Sequence, residues 1–438
     1  MIEFHLDGRS RISTYMQLVQ QVRQALRVGM LEPGDQLPRV REVAESLAIN
    51  PNTVLKAYRE LEHDGLVEGR PGQGTFVLRS LAGPALGSQV QLRQELLAWL
   101  GRARAAGLDT EDVVALFETT LRPPPKRAWH DQPGTQAVLE ATGLGKRYRR
   151  TWALRDCTLA LPRGRIAALV GPNGAGKTTL LHLAVGLLAP TAGTIRVLGR
   201  APGEDPDLLA RVGFVAQDAP LYGDFTGAEL LRLGAELNRR FDLALARDRL
   251  GRLGVPLDRR VDRLSGGQRA QVALAIALAK RPELLLLDEP VASLDPLARR
   301  EFLQVLMGSV AEQGLTVLLS SHLLADLERV CDYLIVLQAA RVQLLGPVDE
   351  LLDRHRLLVG PRRDPAGIAG VAAVVRATHT ARQSSLLVRT DGPVRDPGLT
   401  VGDVTLEDLV LAYLADPSAG TLPGPAAAPA PNRQEVQA

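Results

Sequence analysis

The chain has 438 residues, of which 45% are hydrophobic and 23% charged, and its formal net charge is +3. This length predicts two to three domains, and this composition predicts a packed, soluble protein rather than a disordered one. The two cysteines, Cys157 and Cys331, exclude a disulfide framework and a zinc site of cysteine pairs, so we expect core residues in a reducing cytoplasm. The N-terminal residues lack a signal-peptide layout, and no run of about 18 apolar residues predicts a membrane span. The net charge is too small to indicate nucleic-acid binding, which must depend on local motifs.

Residues 1–78 carry the pattern of three helices and a hairpin. The helices are predicted from Ser13 or Thr14 to Val28, from about Val40 to Leu47, and from Pro51 to about His63. Asn50 suits the N-cap of the third helix, and Pro51 suits its first turn. Two strands, residues 66–69 and 75–78, flank a glycine-rich tip. This order predicts an α+β winged helix-turn-helix, whose third helix would enter the major groove of DNA.

Polar residues of this segment are candidate DNA contacts. The candidates that we expect to be exposed on the third helix are Asn52, Thr53, Lys56 and Arg59, and the candidate phosphate contacts are Arg39, Arg41 and Arg70. The alternative is a small helical protein-interaction domain, because the segment also carries many acidic residues.

The same residues carry a resemblance to a known family. Leu37–Ala44, Asn50–Val54, Tyr58–Glu62, Gly65–Val67 and Gly72–Val77 closely resemble the GntR-type transcriptional regulators, most of all their YtrA-like subfamily. Arg39 departs from this pattern, since the family commonly has serine or threonine there. The resemblance covers nearly all of residues 10–78 and implies binding to double-stranded operator DNA.

Residues 79–136 are interpreted as a helical connector that ends in a linker. Helices are predicted over Gln89–Ala106 and from Asp109 to Leu121, and the prolines of residues 123–134 predict a semi-rigid linker. The YtrA-like group uses such helices to dimerise. A dimer contact is therefore one interpretation of the leucine stripe on the first helix, and packing on the winged domain is the other.

A phosphate-binding pattern follows the linker. The apolar run Ile166–Val170 predicts a buried strand, Gly171–Thr178 matches G-x-x-x-x-G-K-[ST], and Thr179–Leu188 predicts a helix stopped by Pro190. Glycines let backbone N–H groups approach phosphate oxygens, and the helix N-terminus adds partial positive charge. The alternative is a chance glycine-rich turn, against which the preceding strand and following helix argue.

The side chains that ATP chemistry needs lie in this pattern and further along the chain. Lys177 is expected to reach the β- and γ-phosphates, and the Thr178 hydroxyl is expected to bind Mg²⁺. The apolar run Leu284–Leu287 ends at Asp288 and Glu289, and Asp288 lies 111 residues after Lys177 (288 − 177). Asp288 can hold Mg²⁺ through water, and Glu289 can polarise an attacking water as general base.

Three further residues complete the set. Gln217 can touch Mg²⁺ or the water, and His322 can hydrogen-bond the γ-phosphate. Ser265 precedes a predicted helix of about fifteen residues, whose N-terminus forms a second anion site. Each residue alone is more often structural, but the whole set in this order excludes chance.

Residues 137 to about 345 closely resemble the ATP-binding-cassette (ABC) ATPases, and best the single-cassette subunits of bacterial exporters for drugs and antimicrobial peptides. The resemblance implies an α/β P-loop fold with a helical subdomain over residues 219–280. It implies nucleotide contacts by Tyr148, Gly171, Pro172, Asn173, Gly174, Ala175, Gly176, Lys177, Thr178, Thr179, Gln217, Leu264, Ser265, Gly266, Gly267, Gln268, Asp288 and Asp295. It also implies ATP and Mg²⁺ as cofactors, Glu289 and His322 as catalytic residues, and Thr178, Gln217 and Asp288 as metal ligands. Val291–Ser293 departs from the family's usual sequence there.

Leu264–Gln268 matches the signature sequence of this family. The resemblance also implies a dimer, because in this family the signature serine of one subunit, here Ser265, completes the site of the other. A homodimer, or a pair with another cassette, is therefore expected. Residues 346–414 predict a small accessory β/α extension without visible chemistry, with short strands at Val371–Val375 and Leu386–Val388. Residues 415–438 are rich in alanine and proline and predict disorder.

The chain is thus interpreted as a multidomain fusion of a DNA-binding regulator and a transporter ATPase. The ATPase would energise a separate membrane permease from the cytoplasmic face, through the surface near Gln217–Tyr222, and the winged domain would bind its own operon. One alternative is an ATP-responsive transcription factor without a transport role. Another is a motor whose DNA-binding domain is vestigial.

Overall fold

The structure, a computed structural model, describes residues 2–7, 12–81, 99–103, 136–203, 205–322, 324–362, 368–380, 382–394, 396 and 398–415. It divides into two compact units. The first comprises Met1–Arg39 and Lys56–Pro133, and the second comprises Val40–Leu55 and Gly134–Ala438. The predicted connector helices, the proline-rich linker and the C-terminal tail lie outside the described residues, except for a helical stretch at residues 99–103.

The N-terminal elements appear in the order that the sequence predicts. They are α1 (Thr14–Arg27), α2 (Val40–Leu47), α3 (Pro51–His63), β1 (Val67–Arg70) and β2 (Gly74–Val77). The two strands pair as an antiparallel hairpin, with Val67 opposite Val77 and Arg70 opposite Gly74. Three helices followed by a hairpin confirm the winged helix-turn-helix class.

Helix α1 and the wing are held by local burial and backbone pairing within the first unit. Leu18, Val22 and Leu26 recur every four residues along α1 and are fully buried, as expected for one apolar face of a helix. The wing gains a further partner in the segment before α2, because Leu37 N donates to Thr75 O at 2.9 Å. This pairing satisfies backbone groups that a two-stranded hairpin would leave unpaired.

The second unit is built on a six-stranded sheet. Its order is β11 (Arg341–Pro347), β10 (Tyr333–Gln338), β5 (Ile166–Val170), β9 (Thr316–Ser320), β8 (Leu284–Asp288) and β7 (Val212–Val215). The strands are parallel except for β11 at one edge. The carboxyl ends of the parallel strands therefore meet at one edge, where α/β proteins place their ligands.

The central strands are buried on both faces, which explains their unbroken apolar sequence. In β5 and β8 every residue is buried, including Asp288 at the end of β8. Side chains of β5 alternate between two hydrophobic clusters, with Ile166, Ala168 and Val170 in one and Ala167 and Leu169 in the other. One layer therefore lies on each side of the sheet.

Other elements surround this sheet. An antiparallel sheet has the order β4 (Thr151–Pro162), β3 (Ala137–Tyr148) and β6 (Ala192–Val197). Besides α2 and the start of α3, the α-helices of the unit that precede its C-terminal region are α4 (Lys177–Ala184), α5 (Pro206–Arg211), α6 (Gly227–Leu237), α7 (Leu243–Arg252), α8 (Gly266–Ala279), α9 (Pro296–Gln313) and α10 (Leu324–Val330). Helices α6, α7 and α8 share a separate hydrophobic cluster and form the expected helical subdomain.

The helix after the glycine-rich loop differs from the prediction of Thr179–Leu188. It begins two residues earlier, at Lys177, because Gly176 adopts the left-handed conformation (φ 103°) and turns the chain directly into the helix. It ends at Ala184, just before Gly186, whose φ of 76° also breaks the helical path. The backbone conformations of the two glycines therefore determine where the helix begins and ends, although the apolar pattern continues to Leu188.

The C-terminal region forms a four-stranded sheet and two helices. The sheet order is β13 (Val371–His379), β14 (Gln383–Thr390), β12 (His355–Pro361) and β15 (Thr400–Gly402), and the helices are α11 (Val348–Asp353) and α12 (Leu406–Ala415). The two predicted strands are present but longer, and β12 and β15 were not anticipated. Helix α12 packs against β10, and Leu409 and Tyr413 belong to the main hydrophobic cluster of the unit.

Candidate functional site

The glycine-rich loop leaves β5 at the carboxyl edge of the sheet and leads into α4. A Cβ on Gly171 would lie 2.4 Å from Leu337 O, and one on Gly176 would lie 2.4 Å from Ala153 O, so both positions require glycine. Lys177 is 6% exposed, and its Nζ donates to Gly171 O at 2.8 Å. The loop thus curls around the lysine ammonium group.

The acidic residues stand at the end of β8, next to the end of β9. Ser320 lies opposite Asp288 in the register of the two strands. Its hydroxyl donates to Asp288 Oδ1 at 2.7 Å and accepts from Glu289 N at 2.8 Å. Glu289 has a left-handed backbone (φ 47°), a conformation that non-glycine residues adopt mainly at functional sites. Ser320 therefore fixes the carboxylate of Asp288 and the backbone of Glu289.

The carboxylate of Glu289 connects the loop to the histidine after β9. Its Oε1 lies 3.5 Å from Lys177 Nζ, and its Oε2 lies 3.2 Å from His322 Nδ1. The Glu289 side chain is 14% exposed and the His322 side chain is 51% exposed, so the carboxylate is mostly buried and the imidazole is open to solvent. A cation, a carboxylate and an imidazole are thus in contact at the mouth of the loop.

These residues line one cleft of about 730 Å³. Its lining comprises Ala153, Asn173, Gly174, Gly176, Lys177, Thr178, Thr179, Gln217, Glu289 and His322. Nine of these ten were predicted from sequence. Ala153 and the serine behind the acids, Ser320, were missed; Ser320 could have been found as the last residue of the strand that ends in Ser-Ser-His.

The donor set fits a magnesium ion. Asp288 Oδ2 is buried and has no hydrogen-bond partner within the described chain, whereas Oδ1 accepts from Ser320. Thr178 and Gln217 supply a hydroxyl and an amide oxygen in the same cleft. Mg²⁺ prefers oxygen ligands and is usually held by few protein groups together with water and phosphate oxygens. No cluster of three or more His, Cys, Asp or Glu suited to a metal occurs among the residues described.

Other predicted nucleotide contacts lie outside this cleft lining. Tyr148 ends β3 and is 47% exposed. Leu264 is buried, and the exposed Ser265 caps α8, where it accepts from Gln268 N while the Gln268 side chain accepts from Ser265 N. Gly266 and Gly267 form the first turn of that helix. Pro172 and Ala175 lie within the glycine-rich loop, and Asp295 caps α9.

Four candidate DNA contacts belong to the first unit. Arg59 and Arg39 are exposed. Arg70 is exposed in the wing, where its guanidinium lies 4.8 Å from the centre of the Phe76 ring and 3.0 Å from Glu68. Lys56 is half-buried, with its ammonium group 4.0 Å from the centre of the Tyr15 ring.

Three others belong to the second unit, and two of them, Asn52 and Thr53, are not exposed as expected. Arg41 is exposed but lies 3.7 Å from Glu312. Asn52 and Thr53 are half-buried, and Asn52 Nδ2 donates to Asp332 Oδ2 at 2.8 Å and to Gly164 O at 3.1 Å. The expected N-cap is present, because Asn50 Oδ1 accepts from Asn52 N at 2.8 Å.

A glycine-rich loop between a parallel strand and a helix, with acids at the next strand ends, defines the class of P-loop ATPases. Comparison with known proteins narrows this class. The ABC transporter family matches residues 154–292, and the family described as bacterial regulatory proteins, gntR family, matches residues 14–77.

Three curated relatives illustrate the match. Nod factor export ATP-binding protein I of Cupriavidus pinatubonensis is 37% identical, over 50% of this chain and 70% of the relative. ABC transporter ATP-binding protein YtrB of Bacillus subtilis is 30% identical, over 50% and 75%. Bacitracin transport ATP-binding protein BcrA of Enterococcus faecalis is 32% identical, over 50% and 72%.

The chain belongs to the ATP-binding proteins of ABC transporters, and it joins such a cassette to a gntR-family DNA-binding domain. It binds and hydrolyses ATP. In the part of the chain that the structure describes, no helix is both long and apolar enough to cross a membrane.

Proposed function

We propose that the chain is the motor of an exporter and also the regulator of that exporter's operon. The observation that carries this proposal is the presence of a cleft with the phosphate loop, the acid and the histidine of an ATPase, and of a gntR-family domain, in one polypeptide. The names of the relatives, which include Nod factor export and bacitracin transport proteins, favour export as the work done with ATP. A separate permease would hold the chain at the cytoplasmic face of the membrane.

The cleft residues divide the work of hydrolysis. Lys177 binds the β- and γ-phosphates. Its ammonium group contacts the Gly171 carbonyl and the Glu289 carboxylate in the structure, and the phosphate oxygens would replace these partners. Glu289 then accepts a proton from the attacking water, and His322 holds its carboxylate in place and contacts the γ-phosphate. Ser320 fixes the backbone of Glu289 and the carboxylate of Asp288. Bound Mg²⁺ would neutralise phosphate charge, with Thr178, Gln217 and Asp288 as its protein ligands.

The contacts of the signature turn are proposed to come from a second copy. Ser265 and the first turn of α8 offer backbone N–H groups and a helix N-terminus to an anion, but they lie outside the lining of the cleft. A head-to-tail dimer would bring this turn to the partner's nucleotide. Tyr148, exposed at the end of β3, would stack on adenine.

An exposed aromatic pair is the proposed contact with the permease. Tyr222 is 68% exposed and Phe225 is 39% exposed, with ring centres 5.5 Å apart. They follow Gln217 along the chain, so a partner seated on them would lie close to a residue of the nucleotide cleft. Exposed aromatic side chains of this kind are enriched at protein interfaces.

A second candidate function is an ATP-responsive regulator without a transport role. The observation that favours it is that three elements begin or end at the nucleotide site. Asp295 caps the start of α9, α10 begins two residues after His322, and β5 ends at the glycine-rich loop. The far ends of these elements contact residues of the helix-turn-helix, as described below. Nucleotide could then alter DNA affinity, provided that it binds the two states differently.

Two measurements test the proposal. ATP hydrolysis by the purified chain should rise when a candidate permease, chosen as a polytopic membrane protein encoded beside the gene, is added in lipid vesicles. An unchanged rate, together with ATP-dependent binding to the upstream DNA, would favour the pure regulator.

The DNA arm uses a matched pair of arginine variants. Arg59→Ala, on the exposed side of α3, should weaken binding to the upstream duplex and lower its salt dependence, because each phosphate contact releases counterions. Arg27→Ala, in the exposed last turn of α1, should leave binding close to that of the wild-type protein. Equal gel shifts for both variants would contradict the assignment of α3 as the reading helix.

A further inference from the structure

Helix α2 and the first turn of α3 are part of the second unit and pack on the far ends of its ATPase elements. Helix α2 lies along α9. Ala48, in the turn after α2, is 6% exposed and belongs to the same hydrophobic cluster as Leu303 and Leu306 of α9. The contact thus has an apolar centre rather than only surface charges.

Polar contacts surround this centre. Gln304 Nε2 donates to Ser46 O, and Arg329 Nη2 donates to Leu47 O, each at 3.2 Å. Asn50 N donates to Arg329 O at 3.2 Å. Backbone groups at the turn of the helix-turn-helix are therefore satisfied by the ATPase region. We name the surface formed by Gly164, Gln304, Gly308, Glu312, Arg329 and Asp332 the docking face.

The residues that the docking face engages are those expected to read DNA. Both amide hydrogens of Asn52 are used, one by Asp332 Oδ2 and the other by Gly164 O. Arg41 pairs with Glu312 at 3.7 Å. The N-terminal residues of a recognition helix must reach base edges inside a groove roughly 12 Å wide. Atoms of the docking face occupy that approach at hydrogen-bond distance.

Charged pairs hold the docked segment but add no net repulsion of DNA. Asp332 lies 3.4 Å from Arg165, and Glu312 lies 3.6 Å from Arg249, so each carboxylate already has an arginine partner in the second unit. The exclusion of DNA therefore depends on the steric conflict.

We propose that the docking face is an autoinhibitory site, which holds the DNA-reading end of the helix-turn-helix so that docking and DNA binding exclude each other. This inference rests on the proposed function, since it requires the gntR-family domain to bind DNA through α3. Mutual exclusion implies reciprocity: DNA favours the undocked chain, and any variant that weakens docking increases DNA affinity.

A reversible disulfide tests the exclusion directly. Glu45 in α2 is exposed, and a Cβ on Gly308 in α9 would lie 3.5 Å from Glu45 Cγ, which is close enough for a cysteine pair to bridge. The two native cysteines, Cys157 and Cys331, are both buried and leave the background low. The variant Glu45→Cys/Gly308→Cys is oxidised, and its affinity for the upstream duplex and for a short duplex of unrelated sequence is measured at fixed low salt.

Oxidation should lower the affinity of the double variant by roughly 5–150-fold, the usual range of a coupling between sites, and a reducing agent should restore it. The single variants Glu45→Cys and Gly308→Cys should not respond to oxidant. Equal binding by the oxidised and reduced double variant would overturn the inference and leave the proposed DNA binding intact. Failure of the bridge to form, with both thiols reactive to a maleimide, would overturn it as well. If neither form binds either duplex, the proposed DNA binding itself fails and the inference falls with it.

A releasing variant gives an independent result without a cross-link. Gly308→Phe places a large side chain where the Glu45 carboxylate now lies, whereas Gly308→Ala displaces that flexible carboxylate by only a few tenths of an ångström. The phenylalanine variant should bind the upstream duplex more tightly than the wild-type protein, and the alanine variant should not. ATP binding by both variants reports that the cassette is folded. A correctly folded Gly308→Phe protein with wild-type DNA affinity would contradict the proposal.

Discussion

Ser320 and Gly176 show how single residues set the geometry of the cleft. The Ser320 hydroxyl serves Asp288 and the backbone of Glu289 at once, so the two acids keep one relative position. Gly176 has no side chain to cap α4 and leaves the N–H groups of its first turn for an anion. The cleft is therefore organised before nucleotide arrives, which is what electrostatic stabilisation of a transferred phosphoryl group requires.

Replacing Lys177 tests the phosphate assignment. Lys177→Ala should abolish tight ATP binding, because the only lysine in the cleft lining provides the charge nearest the loop. Equilibrium binding of a fluorescent ATP analogue measures the effect. Arg196→Ala, which removes an exposed cation of β6 outside the cleft, is the control and should bind normally. Unchanged affinity in Lys177→Ala would refute the phosphate-loop assignment.

His355 predicts a pH dependence of stability. It is fully buried; Leu351 O can only accept, so Nδ1 donates to it at 2.6 Å, and Nε2 of the neutral ring accepts from the Tyr413 hydroxyl at 3.0 Å. Burial lowers the pKa of His355 from the ordinary value of 6.5. The unfolded chain therefore binds a proton more readily, and the stability from the neutral ring is complete above about pH 6.5 and is lost as the pH falls below it.

Thermal unfolding measures this effect. The midpoint should fall more steeply between about pH 7.5 and about pH 5.5 in the wild-type protein than in His355→Gln, which cannot bind the proton. His63→Gln, at the exposed end of α3, should keep the wild-type slope. Identical slopes for the wild-type protein and His355→Gln would count against a neutral buried ring.

Capping is the feature that matters most at the scale of helices. Helix α8 begins with a reciprocal capping box between Ser265 and Gln268, and α6 begins with the same arrangement between Thr226 and Glu229. Both boxes satisfy backbone N–H groups that a helix N-terminus leaves unpaired. Only the box of Ser265 lies in the ABC signature. Comparing the two boxes therefore distinguishes an effect on helix stability from an effect on nucleotide binding.

The two caps should respond alike in stability and differently in activity. Ser265→Ala and Thr226→Ala should each lower stability by about 1 kcal/mol, because each removes one N-cap acceptor. Only Ser265→Ala should also reduce ATP hydrolysis and ATP-dependent dimerisation. Thermal unfolding and a phosphate-release assay measure the two effects. Equal loss of hydrolysis in both variants would assign Ser265 a merely structural role.

At the scale of the whole molecule, the proposed dimer would decide activity. One chain supplies the glycine-rich loop and the acids of a cleft, while its signature turn lies outside that cleft. A second copy related by a twofold axis would supply the missing turn to each site. ATP would then be buried between the two copies, and hydrolysis would release them.

Blocking hydrolysis should therefore trap the dimer. Glu289→Gln should bind ATP but not hydrolyse it, because the amide cannot accept a proton from water. Size-exclusion chromatography with light scattering should show a dimer only with Mg-ATP. Glu301→Gln, on the exposed surface of α9, should hydrolyse normally and show no stable dimer. A Glu289→Gln protein that hydrolyses at the wild-type rate would remove Glu289 as the general base.

Features carried by neighbouring residues were predictable from the sequence. The strand Ile166–Val170, the glycine-rich loop, the helix-turn-helix and the capped start of α8 all depend on burial period, glycine or capping within a few residues. Most of the cleft lining was predicted for the same reason, since it comes from the glycine-rich loop with the start of α4 and from single residues that follow β7, β8 and β9.

Contacts between distant segments were decided only by tertiary packing. Ser320 becomes a partner of Asp288 because β8 and β9 pair in one particular register. The side chain of Asn52 meets Asp332, which is 280 residues away, and no local pattern encodes that meeting. Whether a polar residue on a helix is free to read DNA or is already bonded depends on which surface covers it. That surface is assembled from segments that the chain brings together only on folding.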